Sequence, residues 1–295
     1  MVDRLSPTEY PFSTFKHQIN SYRLNYLDEG TGFPTLMLHG NPTWSYYFRS
    51  LVRELSGSFR CVVPDHIGFG LSDKPQNYPY LLSNHIDNCE SLLNSMNIDK
   101  FDLIVHDWGG AIGMGVAVRN PDRVRKMVIM NSASFRSRRM PWQIAICRFP
   151  LLGTFAVRKL NLFLRAARYM GTAKHTGLPA GVWNGYLFPY GNYASRVGID
   201  SFVKDIPMNK SHPSYNTILG IEGKLSSLAS KPVLLLWGMR DFCFTPKFLS
   251  RWLDFFPDAL TIKMENAGHF VLEDEPLKSA LAIKNFLTER ESDGF

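Results

Sequence analysis

Asp107 stands at the end of one apolar run and the start of one glycine-rich run, in Leu103-Ile104-Val105-His106-Asp107-Trp108-Gly109-Gly110-Ala111. Residues 101–105 read as a short buried strand, and Gly109, Gly110, Ala111, Gly113 and Gly115 follow on a helical pattern. A strand that turns sharply into a helix crowds the residue at the turn, so its neighbours must be small. The helix that follows aims backbone N–H groups and the positive end of its dipole at whatever charge Asp107 carries. A carboxylate there selects a chemistry. A serine that displaced a leaving group from a saturated carbon would end as an inert ether. A carboxylate ends as an alkyl ester, which water can open again. An aspartate before a helix also serves as a cap, and this segment alone leaves both readings open.

Two further groups follow later apolar runs. Residues 232–237 form a near-continuous apolar stretch that ends in Gly238-Met239-Arg240-Asp241, and residues 260–264 lead into Glu265-Asn266-Ala267-Gly268-His269. Asp107, Asp241 and His269 thus each lie at the carboxyl end of a predicted strand, in the chain order nucleophile, acid, histidine of an α/β-hydrolase. Singly, Asp241 is an ordinary turn aspartate and His269 an ordinary structural histidine; the joint placement carries the argument. Residues 35–38 form another predicted strand, ending in His39-Gly40-Asn41-Pro42-Thr43-Trp44 at the sheet edge where open α/β sheets bind ligands.

The remaining elements place these groups. Residues 15–19, 22–27, 60–63 and 126–130 read as strands, residues 81–96, 247–256 and 275–290 as helices, and residues 291–295 as disordered. The fold class is α/β, a mostly parallel sheet flanked by helices. The alternation stops at Ser132 for about eighty residues, too long for a connection. Residues 132–212 are therefore expected to form a helical cap, with an amphipathic stretch over 151–169, and residues 1–131 with 213–295 to form the core domain.

The 295 residues suffice for such a domain, and no apolar run reaches the length of a membrane span. The N-terminus has no signal-peptide pattern, so a cytoplasmic enzyme is expected. Cys61, Cys89, Cys147 and Cys243 show no ligand or disulfide spacing, and no glycine fingerprint for a nucleotide opens a helix; neither metal nor cofactor is expected. Charge is uneven. Between Ser132 and His212 there are twelve Lys and Arg against Asp200 and Asp205, an excess of +10 in a chain of net +7, leaving the remainder at −3. No nucleic-acid motif accompanies the patch, which suits a solvated or oligomer-forming surface, or docking to partner enzymes or a membrane.

The motifs His106-Asp107-Trp108-Gly109-Gly110, His39-Gly40-Asn41-Pro42-Thr43-Trp44 and Asp65-His66-Ile67-Gly68-Phe69-Gly70-Leu71-Ser72-Asp73 resemble those of haloalkane dehalogenases. Met140-Pro141-Trp142-Gln143-Ile144-Ala145, Asp205-Ile206-Pro207 and Asp241-Phe242-Cys243-Phe244 are most similar to the third subfamily, and equally to β-lactone decarboxylases of olefin biosynthesis. The resemblance implies that Asp107 attacks a halogen-bearing carbon, that Asn41 and Trp108 hold the departing halide and the oxyanion, that His269 is the general base, and that Asp241 orients it. The implied substrate is a small apolar haloalkane or a long-chain β-lactone. Some dehalogenases carry the acid where this chain has Asn131, which leaves Asp241 as the charged partner. Two other readings compete. An epoxide hydrolase would need two cap tyrosines, for which Tyr169, Tyr186, Tyr190 and Tyr193 are in supply, and a degenerate scaffold would have lost a catalytic group.

Overall fold

In a computed structural model, residues 5, 7–173 and 176–289 are described. One sheet has eight strands: β1 (Thr14–Ile19), β2 (Tyr22–Glu29), β3 (Phe33–Leu38), β4 (Phe59–Pro64), β5 (Phe101–Asp107), β6 (Val124–Ser132), β7 (Val233–Gly238) and β8 (Leu260–Met264). Their order is β1-β2-β4-β3-β5-β6-β7-β8. The β1–β2 and β2–β4 pairs are antiparallel, and every other pair is parallel. The apolar runs explain this order. Every residue of β5 and β7 is buried, as strands covered on both faces must be, while β1 at the edge keeps most of its residues partly or fully exposed.

The helices in chain order are α1 (Arg49–Leu55), α2 (Leu82–Ser95), α3 (Trp108–Arg119), α4 (Trp142–Cys147), α5 (Leu152–Thr154), α6 (Leu162–Met170), α7 (Ala180–Leu187), α8 (Val197–Lys204), α9 (Tyr215–Lys224), α10 (Pro246–Phe255), α11 (Val271–Asp274) and α12 (Pro276–Thr288). Helix α2 packs on α3, α1 on α12, and α10 against β6 and β7. The α1 helix was not read from the sequence. The expected disorder of 291–295 lies outside the described residues.

The described chain between β6 and β7 contains helices and no strand, and α9 already packs on α3, so the chain is back on the sheet by Tyr215. The stretch 151–169 is not one helix. Leu151 sits at φ +60° in a tight turn closed by the Leu152 N–H to Pro150 O at 2.6 Å, α5 runs into a π-helical turn over Phe155–Lys159, and Asn161 at φ +56° breaks the chain before α6. An amphipathic period does not register such breaks.

The helices between β6 and β7 are fastened to the rest of the chain by polar contacts that are themselves buried. The Tyr186 hydroxyl donates to Glu273 Oε1 at 2.6 Å, and Glu273 accepts two hydrogen bonds from Arg49, at 2.5 and 2.9 Å. The Trp44 indole N–H donates to Gly185 O at 3.2 Å. Both side chains of the Arg49–Glu273 pair are 7% exposed, so losing one partner would strand a charge and cost about 3–5 kcal/mol.

Candidate active site

The turn after β5 holds Asp107 at φ +53°, ψ −128°, a backbone state an L-residue adopts only under constraint. The constraint is visible in its neighbours. A Cβ on Gly109 would lie 2.0 Å from Leu38 O, one on Gly110 would lie 1.8 Å from Ser132 Oγ, and one on Gly40 would lie 2.0 Å from Asp107 Oδ1. The need for small residues, read from the sequence, is therefore met at atomic contact. The Ser132 hydroxyl donates to the Asp107 carbonyl at 2.6 Å and pins the turn.

Asp107, Asp241 and His269 come together. His269 Nδ1 lies 2.8 Å from Asp241 Oδ2, and His269 Nε2 lies 3.6 Å from Asp107 Oδ2. The other Asp107 oxygen, Oδ1, accepts the Asn41 backbone N–H at 2.7 Å. All four residues are at most 7% exposed. Burial pushes the Asp107 carboxyl up, against the opposing pull of His269 and the backbone N–H groups of Asn41 and Trp108. For His269, burial alone would lower the imidazole, but the charge and hydrogen bond of Asp241, then the charge of Asp107, outweigh it and the net shift is upward. A histidine held so between two carboxylates can take a proton from water and keep it.

Several residues around the cluster were not read as part of it. Asn131, at the end of β6, donates from Nδ2 to Asp241 Oδ2 and Gly238 O, both at 3.0 Å, and accepts the Gly238 N–H at 2.7 Å. It thus ties the acid to the end of β7. His106 Nε2 donates to the His269 carbonyl at 2.8 Å and stacks on Tyr47. Asp274 accepts the N–H groups of both Gly268 and Ala173, at 2.8 and 2.9 Å, so cap and core share the grip on the His269 loop. Most of these contacts join groups more than a hundred residues apart, which leaves no local pattern to read.

Asp107, Asn41, Trp108 and His269 line one cavity of about 430 Å³, whose other walls are mostly apolar, among them Phe135, Phe163, Met170, Phe244 and Phe248. Trp108, whose side chain carries one N–H donor, is among the lining residues. The Asn41 amide donates one N–H to Ile199 O at 3.1 Å and retains a second. Cys243 also lines the cavity, its N–H donating to Asp241 Oδ1 at 2.7 Å; burial, then the charges of Asp241 and Asp107, hold its thiol well above the ordinary range. None of the four cap tyrosines lines it. Tyr186 is spent on Glu273, Tyr190 reaches Thr43 O at 3.4 Å, and Tyr169 and Tyr193 are exposed, so the epoxide reading loses its donors.

Residues 34–276 match the family described as the alpha/beta hydrolase fold. The chain belongs to the α/β-hydrolase family. Among its relatives, this α/β-hydrolase is 40% identical to a cis-3-alkyl-4-alkyloxetan-2-one decarboxylase of Shewanella oneidensis, over 99% of this chain and 92% of the relative. It is 33% identical to haloalkane dehalogenase 2 of Mycobacterium tuberculosis, over 94% of this chain and 96% of the relative. Solved structures agree in fold. The haloalkane dehalogenase DbeA from Bradyrhizobium elkani superposes with a TM-score of 0.85 at 22% identity, covering 94% of this chain and 97% of the other. DatA from Agrobacterium tumefaciens superposes at 0.84 with 27% identity, covering 94% and 96%. The resemblance to dehalogenases and lactone decarboxylases read from the motifs is borne out by both groups of relatives.

Proposed function

We propose that this α/β-hydrolase is a haloalkane dehalogenase, cleaving a carbon–halogen bond through an ester on Asp107 to give an alcohol and halide. The observation that carries the reading is a buried carboxylate set beside two side-chain N–H donors, Asn41 and Trp108, on the wall of a largely apolar cavity. Asp107 Oδ1 is engaged by the Asn41 N–H, which leaves Oδ2 to attack the carbon. The new C–O bond forms as the carbon–halogen bond breaks, and the halide leaves onto the Trp108 and Asn41 donors. Water then attacks the ester carbonyl and gives its proton to His269, whose positive charge Asp241 stabilises. The backbone N–H groups of Asn41 and Trp108 hold the oxyanion, whose collapse expels an alkoxide; this takes the proton from His269 and leaves as the alcohol, and the regenerated Asp107 carboxyl gives the remaining proton to solvent. No cofactor enters this sequence.

The pH dependence follows from the charges. His269 must be neutral to accept the proton, so hydrolysis of the ester is lost as pH falls through its pKa. In the resting protein that pKa is raised above the ordinary 6.5, in part by Asp107. Esterification removes the Asp107 charge and with it that upward pull. The kcat profile is therefore expected to fall at lower pH than the His269 titration of the resting protein followed by NMR. Coincidence of the two would overturn the assignment of Asp107 as the esterified group.

A second reading is favoured by the relatives. Decarboxylases stand at 40% and 39% identity, above the 33% of the dehalogenase. On a cis-β-lactone, Asp107 would attack the ring carbon bearing oxygen and break that C–O bond, freeing a β-carboxylate. Loss of carbon dioxide then breaks the C–C bond, its electron pair forms the alkene, and the Asp107–carbon bond opens. Release of bromide from a short terminal bromoalkane by the purified protein is the expected result. A folded protein that releases none, yet turns a cis-3,4-dialkyl β-lactone into alkene, would replace the first reading with the second.

A further inference from the structure

The cap presents an apolar face to solvent. Nine of the fifteen exposed large apolar side chains among the described residues lie between residues 142 and 169. The most exposed are Leu151 at 86%, Leu152 at 75% and Trp142 at 68%. These segments are contiguous, since α4 packs on α5, and α5 and α6 both pack on the π-helical turn between them. The tight turn at Leu151 holds the most exposed leucine at the tip.

Two further observations say what covers this face. The first is charge. No Asp or Glu occurs from residue 133 to 199, and Arg148, Arg158, Lys159, Arg165 and Arg168 lie within the apolar segment. None of the five is paired with a carboxylate among the described residues. Three of the five, Arg148, Arg158 and Arg168, donate to neutral oxygens and so keep their full charge. A second copy seated here would bring two such faces of like charge together, which opposes self-association. The second is continuity with the cavity. Trp142, Ile146 and Leu162 line the cavity and are also 68%, 48% and 46% exposed, so the apolar face surrounds its mouth. Short helical segments with Trp, Phe and Leu beside Arg and Lys that no carboxylate neutralises are the composition of interfacial helices. A bilayer with anionic lipid matches both the charge and the apolar rim, and would place dissolved apolar molecules at the entrance.

We infer that the cap face over residues 142–169 docks on a bilayer surface carrying anionic lipid, with the mouth of the cavity turned toward the acyl chains. Flotation of the full chain with extruded vesicles tests this without any substrate, so its failure would leave the proposed reaction untouched. The chain is expected to float with vesicles containing phosphatidylglycerol and not with phosphatidylcholine alone. The double variant Leu151→Glu, Leu152→Glu is expected to partition about tenfold or more weakly, with its circular dichroism unchanged. Neither leucine lines the cavity, so turnover of a short water-soluble substrate is the fold control. Flotation of the double variant equal to that of the original chain would overturn the inference. So would absence of flotation, including the case where light scattering shows a dimer that the double variant dissociates. Should the double variant fail to fold, the lipid dependence of the original chain decides alone: phosphatidylglycerol-dependent flotation supports docking, and flotation with neither vesicle overturns it.

Discussion

Asp107→Asn is expected to abolish turnover, by roughly ten-thousandfold or more, while the protein stays folded. The amide can still accept the Asn41 N–H through its oxygen, and its side chain has the same shape as the carboxylate it replaces. What is lost is the nucleophile. Stability is expected to hold or rise. Burial raises the Asp107 carboxyl above its unfolded value, so at neutral pH its charge is disfavoured in the folded state, a cost that is absent only below the unfolded pKa and grows to its full size as pH rises through the folded one. Thermal unfolding and bromide release on the same preparation check both halves. Turnover within tenfold of the original chain would remove Asp107 from the role of nucleophile, and a collapsed melting temperature would mean that the carboxylate is structural.

The second large effect is a trap. His269→Phe removes the base and keeps a ring of similar shape in a nest of rings, since His269 stacks on Phe244 at 5.7 Å and lies against His106 and Phe270. Asp241 is not left unsatisfied, because Cys243 N–H and Asn131 Nδ2 still donate to it, at 2.7 and 3.0 Å. With a bromoalkane, alkylation proceeds and hydrolysis does not. Mass spectrometry is expected to find one alkyl group per chain on the Asp107 peptide, with a single burst of bromide. With a β-lactone the ester opens by losing carbon dioxide and needs neither water nor base. There the variant is expected to keep making alkene and to carry no adduct. The same variant thus separates the two reactions by what remains bound to Asp107.

The parts of this site that could be read from the sequence are those fixed by local crowding. Glycines at 40, 109 and 110 mark places where a Cβ would meet Asp107, Leu38 or Ser132, and such constraints leave a motif. The strands were equally plain, because β5 and β7 are buried on both faces and their apolar runs are unbroken. Other features depend on partners far along the chain. Asn131 was recognised as unable to be the acid, but its grip on Asp241 is a contact across 110 positions. The short helix α1 hides among aromatic residues buried against the N-terminal segment and the cap. The breaks in the stretch 151–169 come from single residues at Leu151 and Asn161, which do not alter an apolar period.

Cys243 lines the cavity as well as Asp107, and sulfur anions outrun carboxylates toward saturated carbon. An ionised thiol there would intercept an alkylating substrate and keep it, since a thioether, unlike an ester, offers water no carbonyl. Burial first, and then the same two carboxylates that raise the His269 imidazole, favour the protonated thiol. On the proposed reaction, the burial and charge that set the base thus also keep this sulfur from competing with Asp107 for the substrate.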